Sequence, residues 1–343
     1  MRISIIYHPK YLEHDPGSRH PENPKRLQSV IDLLEVYEIF QKVNKIEPKS
    51  LNSHLVEKTH ESTYVKLVKD LSSRGGMLTL DTPVYKNTYD IALLSVSGAI
   101  EAVKETMENH SLSFALIRPP GHHAGKDFGG GFCYFNNIAV CANYLKGFLE
   151  RILIIDFDAH HGNGTENIFY SDPGVLYFSI HQHPLYPGTG SIDDVGKGEG
   201  EGFNINAPVP PKTSGAGALA IMNQILLPVT ESFKPEFILV SSGFDGYFLD
   251  PISDLGYSIN TFVKFASLIR EISEKCKNRV TMLLEGGYHP DGISYGVLSI
   301  LNELGDLELS IEEPNPPPEQ KITERVSEII NRIRGKISPY WDI

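Results

Sequence analysis

The chain has 343 residues, 41% of them hydrophobic and 22% charged, ordinary values for a soluble globular protein with length for one large α/β core or two ordinary domains. Its formal net charge of −12 argues against direct nucleic-acid binding and mildly favours cationic partners, although net acidity also serves solubility. The N-terminal apolar stretch is too short for a signal peptide, and no run approaches the roughly 20 apolar residues that cross a bilayer, so a cytoplasmic protein without membrane association is expected.

Short β-rich apolar runs alternate with helical patterns, the signature of an α/β protein with a largely parallel sheet. In chain order, Ile3–Tyr7 reads as a strand. Asn23-Pro24 then opens a helix in which Leu27, Val30, Ile31 and Leu34 recur at helical spacing. Strands follow at Phe114–Ile117, Ile152–Phe157 and Val175–Ile180, and the glycine-rich stretch Gly196–Gly202 reads as a loop. After the strand Phe237–Ser241, Phe262, Phe265, Ala266, Ile269 and Ile272 make a buried helical stripe, followed by a strand at Val280–Leu284. Several of these strands are continuously apolar, as expected when both faces are covered. A proline-rich segment over 311–319 interrupts regular structure. Beyond it Ile322, Val326, Ile329, Ile330 and Ile333 predict an amphipathic helix over 320–335 that packs back on the protein, with a partner surface as the alternative. There is no internal repeat and no convincing linker, so residues 1–343 are expected to form a single domain. Cys133, Cys141 and Cys276 are an odd set without C-x-x-C spacing, which predicts reduced, buried thiols rather than a disulfide framework or a thiolate zinc site.

The chemically unusual residues fall just after the strands. Phe114–Ile117 leads into Arg118-Pro119-Pro120-Gly121-His122-His123, and the run ending at Ile155 leads into Asp156-Phe157-Asp158-Ala159-His160-His161-Gly162-Asn163. Phe237–Ser241 leads to Gly243-Phe244-Asp245, and Val280–Leu284 to Glu285-Gly286-Gly287-Tyr288-His289. Ligands of open α/β sheets bind outside the carboxyl ends of the strands, so four polar clusters are expected to converge on one crevice. Asp158 and His160, two apart in an extended segment, project to one side. A carboxylate and an imidazole together suit Zn²⁺, which in catalytic sites takes three protein ligands and keeps a position for water, and Asp245 is the natural third. A lone D-x-H usually sits on a solvated turn; its place after a buried strand, near another acid and a His pair, is what gives it weight. One imidazole of His122-His123 can take a proton from an attacking water and return it to a leaving amine. Asp156 and Asn163 are available to hold the far ring nitrogens. Gly286-Gly287 lets the chain turn Tyr288 inward, where a phenol can donate to a developing oxyanion.

Taken together and in this order, RPPGHH, GGGFCYFNN, DFDAHHGNGTE, YPGTG, GFD and LEGGY resemble the arginase/deacetylase superfamily. Within it they are most similar to the histone deacetylase and acetylpolyamine amidohydrolase branch in its class II-like form. The matches run from about Arg26 to Tyr288. The resemblance implies a three-layer α/β/α fold around a mostly parallel, eight-stranded sheet, with a narrow tunnel leading to one zinc ion per chain. It implies that Asp158, His160 and Asp245 are the zinc ligands and His123 the general base and acid. His122 would be the electrostatic partner of His123, and Tyr288 the donor that polarises the carbonyl. Gly131, Phe132 and Tyr186 would line the tunnel, a slot for an unbranched alkyl amine, and Asp81 at the rim would hold the substrate backbone. Arg26 resembles the arginine of an internal channel beneath the metal, although a buried arginine at a helix start can be purely structural. Structural potassium is also implied, one ion by Asp156, Asp158, His160, Ser179 and Ile180, the other by carbonyls of Phe169, Asp172, Val175 and Phe203. Asn163 stands where class I members have aspartate, and Tyr288 is kept where some class II members have histidine.

The function expected from this is removal of acetyl or other acyl groups from N-acylated amines, with acetyl-lysine in proteins or peptides as substrate and acetylpolyamine as the alternative. An arginase-like dimetal ureohydrolase would need a second aspartate after His160, where the sequence continues His161-Gly162. A non-catalytic acyl-lysine binding scaffold would not need all six catalytic positions.

Overall fold

The computed structural model describes residues 3–49, 53–109, 112–314, 317 and 321–343. Among the described residues ten strands occur in chain order: β1 Ile3–Ile6, β2 Asn44–Ile46, β3 Gly76–Thr79, β4 Thr82–Val84, β5 Leu112–Ala115, β6 Ile152–Asp156, β7 Val175–Gln182, β8 Asn204–Val209, β9 Phe237–Ser242 and β10 Val280–Leu284. Eight of them form one sheet in the order β2-β1-β5-β10-β9-β6-β7-β8, with every pairing parallel. β3 and β4 make a separate antiparallel hairpin.

Every residue of β5, β6, β7, β9 and β10 is buried, which requires cover on both faces of the sheet. Helices Thr88–Asn109 and Asn137–Leu145 pack on each other, and the first lies on β1, β5 and β10. Helices Lys25–Val36, Ile259–Glu274 and Pro290–Gly305 form a second contiguous layer. The predicted three-layer α/β/α arrangement with an eight-stranded sheet is what the chain adopts.

Two strands of that sheet lie outside the sequence expectation, and both are edges. β2 has three residues, and β8 reads Asn204-Ile-Asn-Ala-Pro-Val. Asparagine and proline are depleted in strands, and proline is tolerated at an edge because it has no N–H to pair there. The predicted Phe114–Ile117 strand sits two residues earlier, although Leu116 N–H still donates to Ile6 O at 2.9 Å. The last helix spans Glu324–Ile337, with Thr323 accepting from Val326 N–H as its cap. Ile322 therefore lies ahead of the helix and is 53% exposed, while Val326, Ile329, Ile330 and Ile333 are buried against β8 and its neighbours. Within the proline-rich segment, residues 315, 316 and 318–320 lie outside the described residues. All three cysteines are buried and free.

Beneath the sheet's carboxyl edge lies a buried ionic cluster. Arg118 is fully buried and grips Glu22 with a fork, Nε to Oε1 at 2.5 Å and Nη2 to Oε2 at 2.8 Å. Its other donors reach the carbonyls of Tyr11 and His14, so the polar N-terminal stretch is tied to the segment that carries His122-His123. Burial opposes the Glu22 charge, but Arg118 and Arg26 hold the carboxyl below its usual range. Such a group stabilises the fold above its unfolded pKa and loses that contribution as pH falls through the folded value. Arg118→Met is expected to cost about 3–5 kcal/mol, because it strands half of a buried ion cluster. Urea unfolding at neutral pH measures it, and a loss under about 1 kcal/mol would contradict the assigned role.

Candidate active site

The four loops singled out in the sequence leave β5, β10, β9 and β6, which are consecutive in the sheet. Adjacent parallel strands deliver their carboxyl ends side by side, so the loops meet although they are far apart in sequence.

Asp158, His160 and Asp245 are buried, and one ligand atom from each lies within 4.8 Å of the others. His160 Nδ1 is 2.8 Å from Asp245 Oδ2 and 3.2 Å from Asp158 Oδ1. The outer oxygens are held by backbone: Gly286 N–H donates to Asp158 Oδ2 and Ala159 N–H to Asp245 Oδ1, both at 2.8 Å. Burial and the facing Asp158 push the Asp245 carboxyl up to about 6. Two oxygens and one imidazole nitrogen converging among buried side chains are a donor set that fits Zn²⁺, with a divalent charge to offset the paired carboxylates.

The His122 and His123 rings lie 4.1 Å apart. Nδ1 of His123 is 2.8 Å from Asn163 Oδ1. A carbonyl oxygen only accepts, so Nδ1 carries the proton and Nε2 keeps its lone pair. Burial, with the neighbouring His122 and His160, holds the His123 imidazole well below its ordinary range. Nδ1 of His122 meets Asp156 Oδ2 at 3.1 Å, and Tyr177 OH donates to the same oxygen at 3.1 Å. Burial opposes charge on His122, but Asp156 and Asp158 outweigh it and raise the imidazole to about 10. The two rings thus differ: one is neutral with a free lone pair, the other cationic.

Tyr288 stands across the pocket. Its backbone N–H donates to Asp250 Oδ2 at 2.7 Å, and the Arg26 guanidinium lies 4.5 Å from its ring centroid. Arg26 also donates to the carbonyls of Glu285 and Gly287 at 2.5 and 2.6 Å. Burial holds the phenol well above its usual range, so it is a donor at neutral pH.

A cavity of about 270 Å³ joins these groups to the surface, lined by His122, His123, Asp158, His160, Gly131, Phe132, Tyr186, Tyr288 and, at its mouth, Asp81, Leu185 and Ile252. Gly131 has φ +53°, and a Cβ there would lie 2.4 Å from His123 Cδ2, so only glycine lets this loop run against the histidine. Phe132 also adopts positive φ, +69°. It is half-buried against Tyr288 and His20, with ring centroids 5.8 and 4.8 Å away. It lines the cavity rather than the core. Asp81 sits in the β3–β4 turn and accepts from Thr82 Oγ1 at 2.9 Å. A larger groove of about 920 Å³ lies behind Asn163, against Arg325, Glu328 and Arg332. It contains neither the Asp158–His160–Asp245 cluster nor the His pair, so the smaller cavity is the candidate site.

The residues assigned to potassium fall in two places. Asp156 is the register partner of Ser179, with Ile180 next along β7, directly behind Asp158 and His160. Phe169, Asp172, Val175 and Phe203 gather outside the cavity, where Asp172 N–H donates to Phe169 O and Tyr177 N–H to Phe203 O, each at 2.9 Å.

Four side chains that support the site carried no role in the sequence reading: Asp250, Tyr177, Arg118 and Glu285. Glu285 Oε2 accepts from Gly121 N–H at 2.7 Å and His122 N–H at 3.2 Å. Its position immediately ahead of Gly286-Gly287 was the available signal. Tyr177 lies within the predicted strand Val175–Ile180 and Asp250 in a stretch without a motif, so neither carried a chemical signal.

A sequence model of the histone deacetylase domain matches residues 20–304. The chain is 38% identical to a probable deacetylase of Archaeoglobus fulgidus, covering 99% of each. It is 35% identical to chloroplastic histone deacetylase 10 of Oryza sativa subsp. japonica, covering 90% of this chain and 76% of that one. The crystal structure of the HDA15 HD domain superposes with a TM-score of 0.91 at 27% identity, covering 99% of this chain and 97% of that one.

Proposed function

Since the chain belongs to the histone deacetylase family and is a hydrolase of amide C–N bonds, we propose that it deacetylates acetyl-lysine in proteins or peptides, with zinc held by Asp158, His160 and Asp245. The observation that carries this is one shared cavity: Asp158 and His160, with Asp245 beside them, meet His123 and Tyr288 around one narrow space.

Zinc bound there would supply Lewis acidity to the amide carbonyl and to a water molecule. His123, held through Nδ1–H by Asn163, takes the proton of the attacking water at Nε2 and returns it to the leaving amine. His122, kept cationic by Asp156, stabilises the negative charge that develops beside it. Tyr288 donates to the carbonyl oxygen as that oxygen gains charge. The amide C–N bond breaks, and acetate and the free amine leave. Gly131, Phe132 and Tyr186 hold the alkyl chain, and Asp81 receives the substrate's backbone N–H at the mouth. Potassium, in this reading, sits at Asp156, Asp158, His160, Ser179 and Ile180, and at the carbonyls of Phe169, Asp172, Val175 and Phe203.

The lining favours lysine over a polyamine. A polyamine carries ammonium groups that need pairing when desolvated, and beside Asp81 the outer lining contributes Leu185, Tyr186 and Ile252, none of which carries a charge to pair a cation. Side-by-side kcat/KM on an acetyl-lysine peptide and N-acetylputrescine is the test. The peptide is expected to lead by tenfold or more, about 1.4 kcal/mol; a faster acetylputrescine rate would replace lysine with polyamine as the substrate. Tyr288→Phe is expected to lower kcat by about 10²-fold with little change in KM, since its hydrogen bond forms as charge develops.

A further inference from the structure

Glu285 is a buried carboxylate, 1% exposed, that the chemistry above does not use. It stands directly after β10, and its own N–H pairs with Ser242 O at 3.0 Å, which extends the sheet's hydrogen bonding one residue past the strand. Its side chain reaches sideways to the loop that leaves the neighbouring strand β5. Oε2 accepts from the N–H groups of both Gly121 and His122. Oε1 is buried without a hydrogen-bond partner among the described residues. A buried carboxylate with one oxygen unmet is a poor choice for stability alone.

The next residues explain what such a contact can do. Gly286 N–H holds Asp158, Gly287 O accepts from Arg26, and Tyr288 carries the phenol. On the far side of the Glu285 contact, Gly121 is wedged so tightly that a Cβ would lie 2.5 Å from Asn137 N, and the His pair follows it. The Glu285 carboxylate therefore bridges the segment bearing Tyr288 and the segment bearing His122 and His123.

We propose that Glu285 is a positioning residue: by clasping the Gly121 and His122 amides it sets the distance and angle between the His pair and Tyr288. Displacement of catalytic groups by about 1 Å can cost 10²-fold in rate. The inference rests on the proposed reaction only for its kinetic arm.

Glu285→Leu removes the clasp at similar volume. It is expected to lower kcat 10- to 100-fold, with KM within about threefold and bound metal unchanged, while the two orphaned amides lower the melting temperature. Glu285→Gln, whose amide oxygen can hold the same two N–H groups, restores most of the lost kcat. Should the leucine variant fail to fold, Glu285→Asp, one methylene too short to reach Gly121, takes its place with the same expectation. A crystal structure of the leucine or aspartate variant supplies a readout independent of turnover, with the Gly121–His123 loop shifted from Tyr288. The proposal is overturned by an unmoved loop, by wild-type kcat in the variant lacking the clasp, by loss of metal that accounts for the rate, or by Glu285→Gln failing as badly as Glu285→Leu. A wild-type enzyme inert on every acyl amine would instead defeat the proposed function, leaving the crystallographic arm to judge the clasp.

Discussion

His123→Ala is expected to reduce kcat on the order of 10³-fold, within the range that a positioned acid–base group contributes, while the protein stays folded. The imidazole's hydrogen bond to Asn163 Oδ1 at 2.8 Å leaves Nε2 free to take a proton. Its low affinity for protons, set by burial and by His122 and His160, keeps it neutral as the medium becomes mildly acidic. The partner left behind, Asn163, also lines the 920 Å³ groove, where water can replace the lost contact. The side of the ring facing Gly131 and Tyr186 opens on the substrate cavity. Stability should therefore change by about 1 kcal/mol or less. Steady-state kinetics with a circular-dichroism melt checks both halves. A mutant that keeps its rate rules His123 out as the base.

Removing the metal is expected to abolish turnover altogether, with activity returning on addition of about one equivalent of zinc. The Asp158–His160–Asp245 cluster shows why the loss should also appear as lowered stability. Two buried carboxylates face one imidazole, and burial together with Asp158 already raises the Asp245 carboxyl to about 6. Without a cation, the three buried groups must share protons, a costly arrangement. A ligand that binds only the folded chain stabilises it by mass action, about 2.7 kcal/mol at a hundredfold excess over Kd. Chelation should therefore lower both the rate and the melting temperature, read by kinetics, calorimetry and elemental analysis in parallel. Full activity in metal-depleted protein would refute the metal assignment, and two metals per chain would point to the dimetal alternative.

Much of this architecture is legible in the sequence. Central strands such as Ile152–Asp156 and Val280–Leu284 are continuously apolar because both faces are covered, so their pattern stands out. The residues with unusual chemistry crowd directly after them, where parallel sheets expose their ends. Edges were harder: β2 is three residues long, and β8 carries two asparagines and a proline. Ile322 has the right spacing for the last helix, but Thr323 caps the chain after it. Local hydrogen bonding beat periodicity there.

Local order in the chain determined the strand-and-helix rhythm, the Asp158–His160 pair two residues apart, and the glycines that free Tyr288 and the Gly131 turn, because each depends on neighbours within a few residues. Strand order decided the rest. Only once β5, β10, β9 and β6 lie side by side does Glu285 reach the amide of Gly121, 164 positions earlier in the chain, or Asp245 approach His160, 85 positions away. Contacts of that kind are set by which strands are neighbours in the sheet, and periodicity along a single strand carries no record of them.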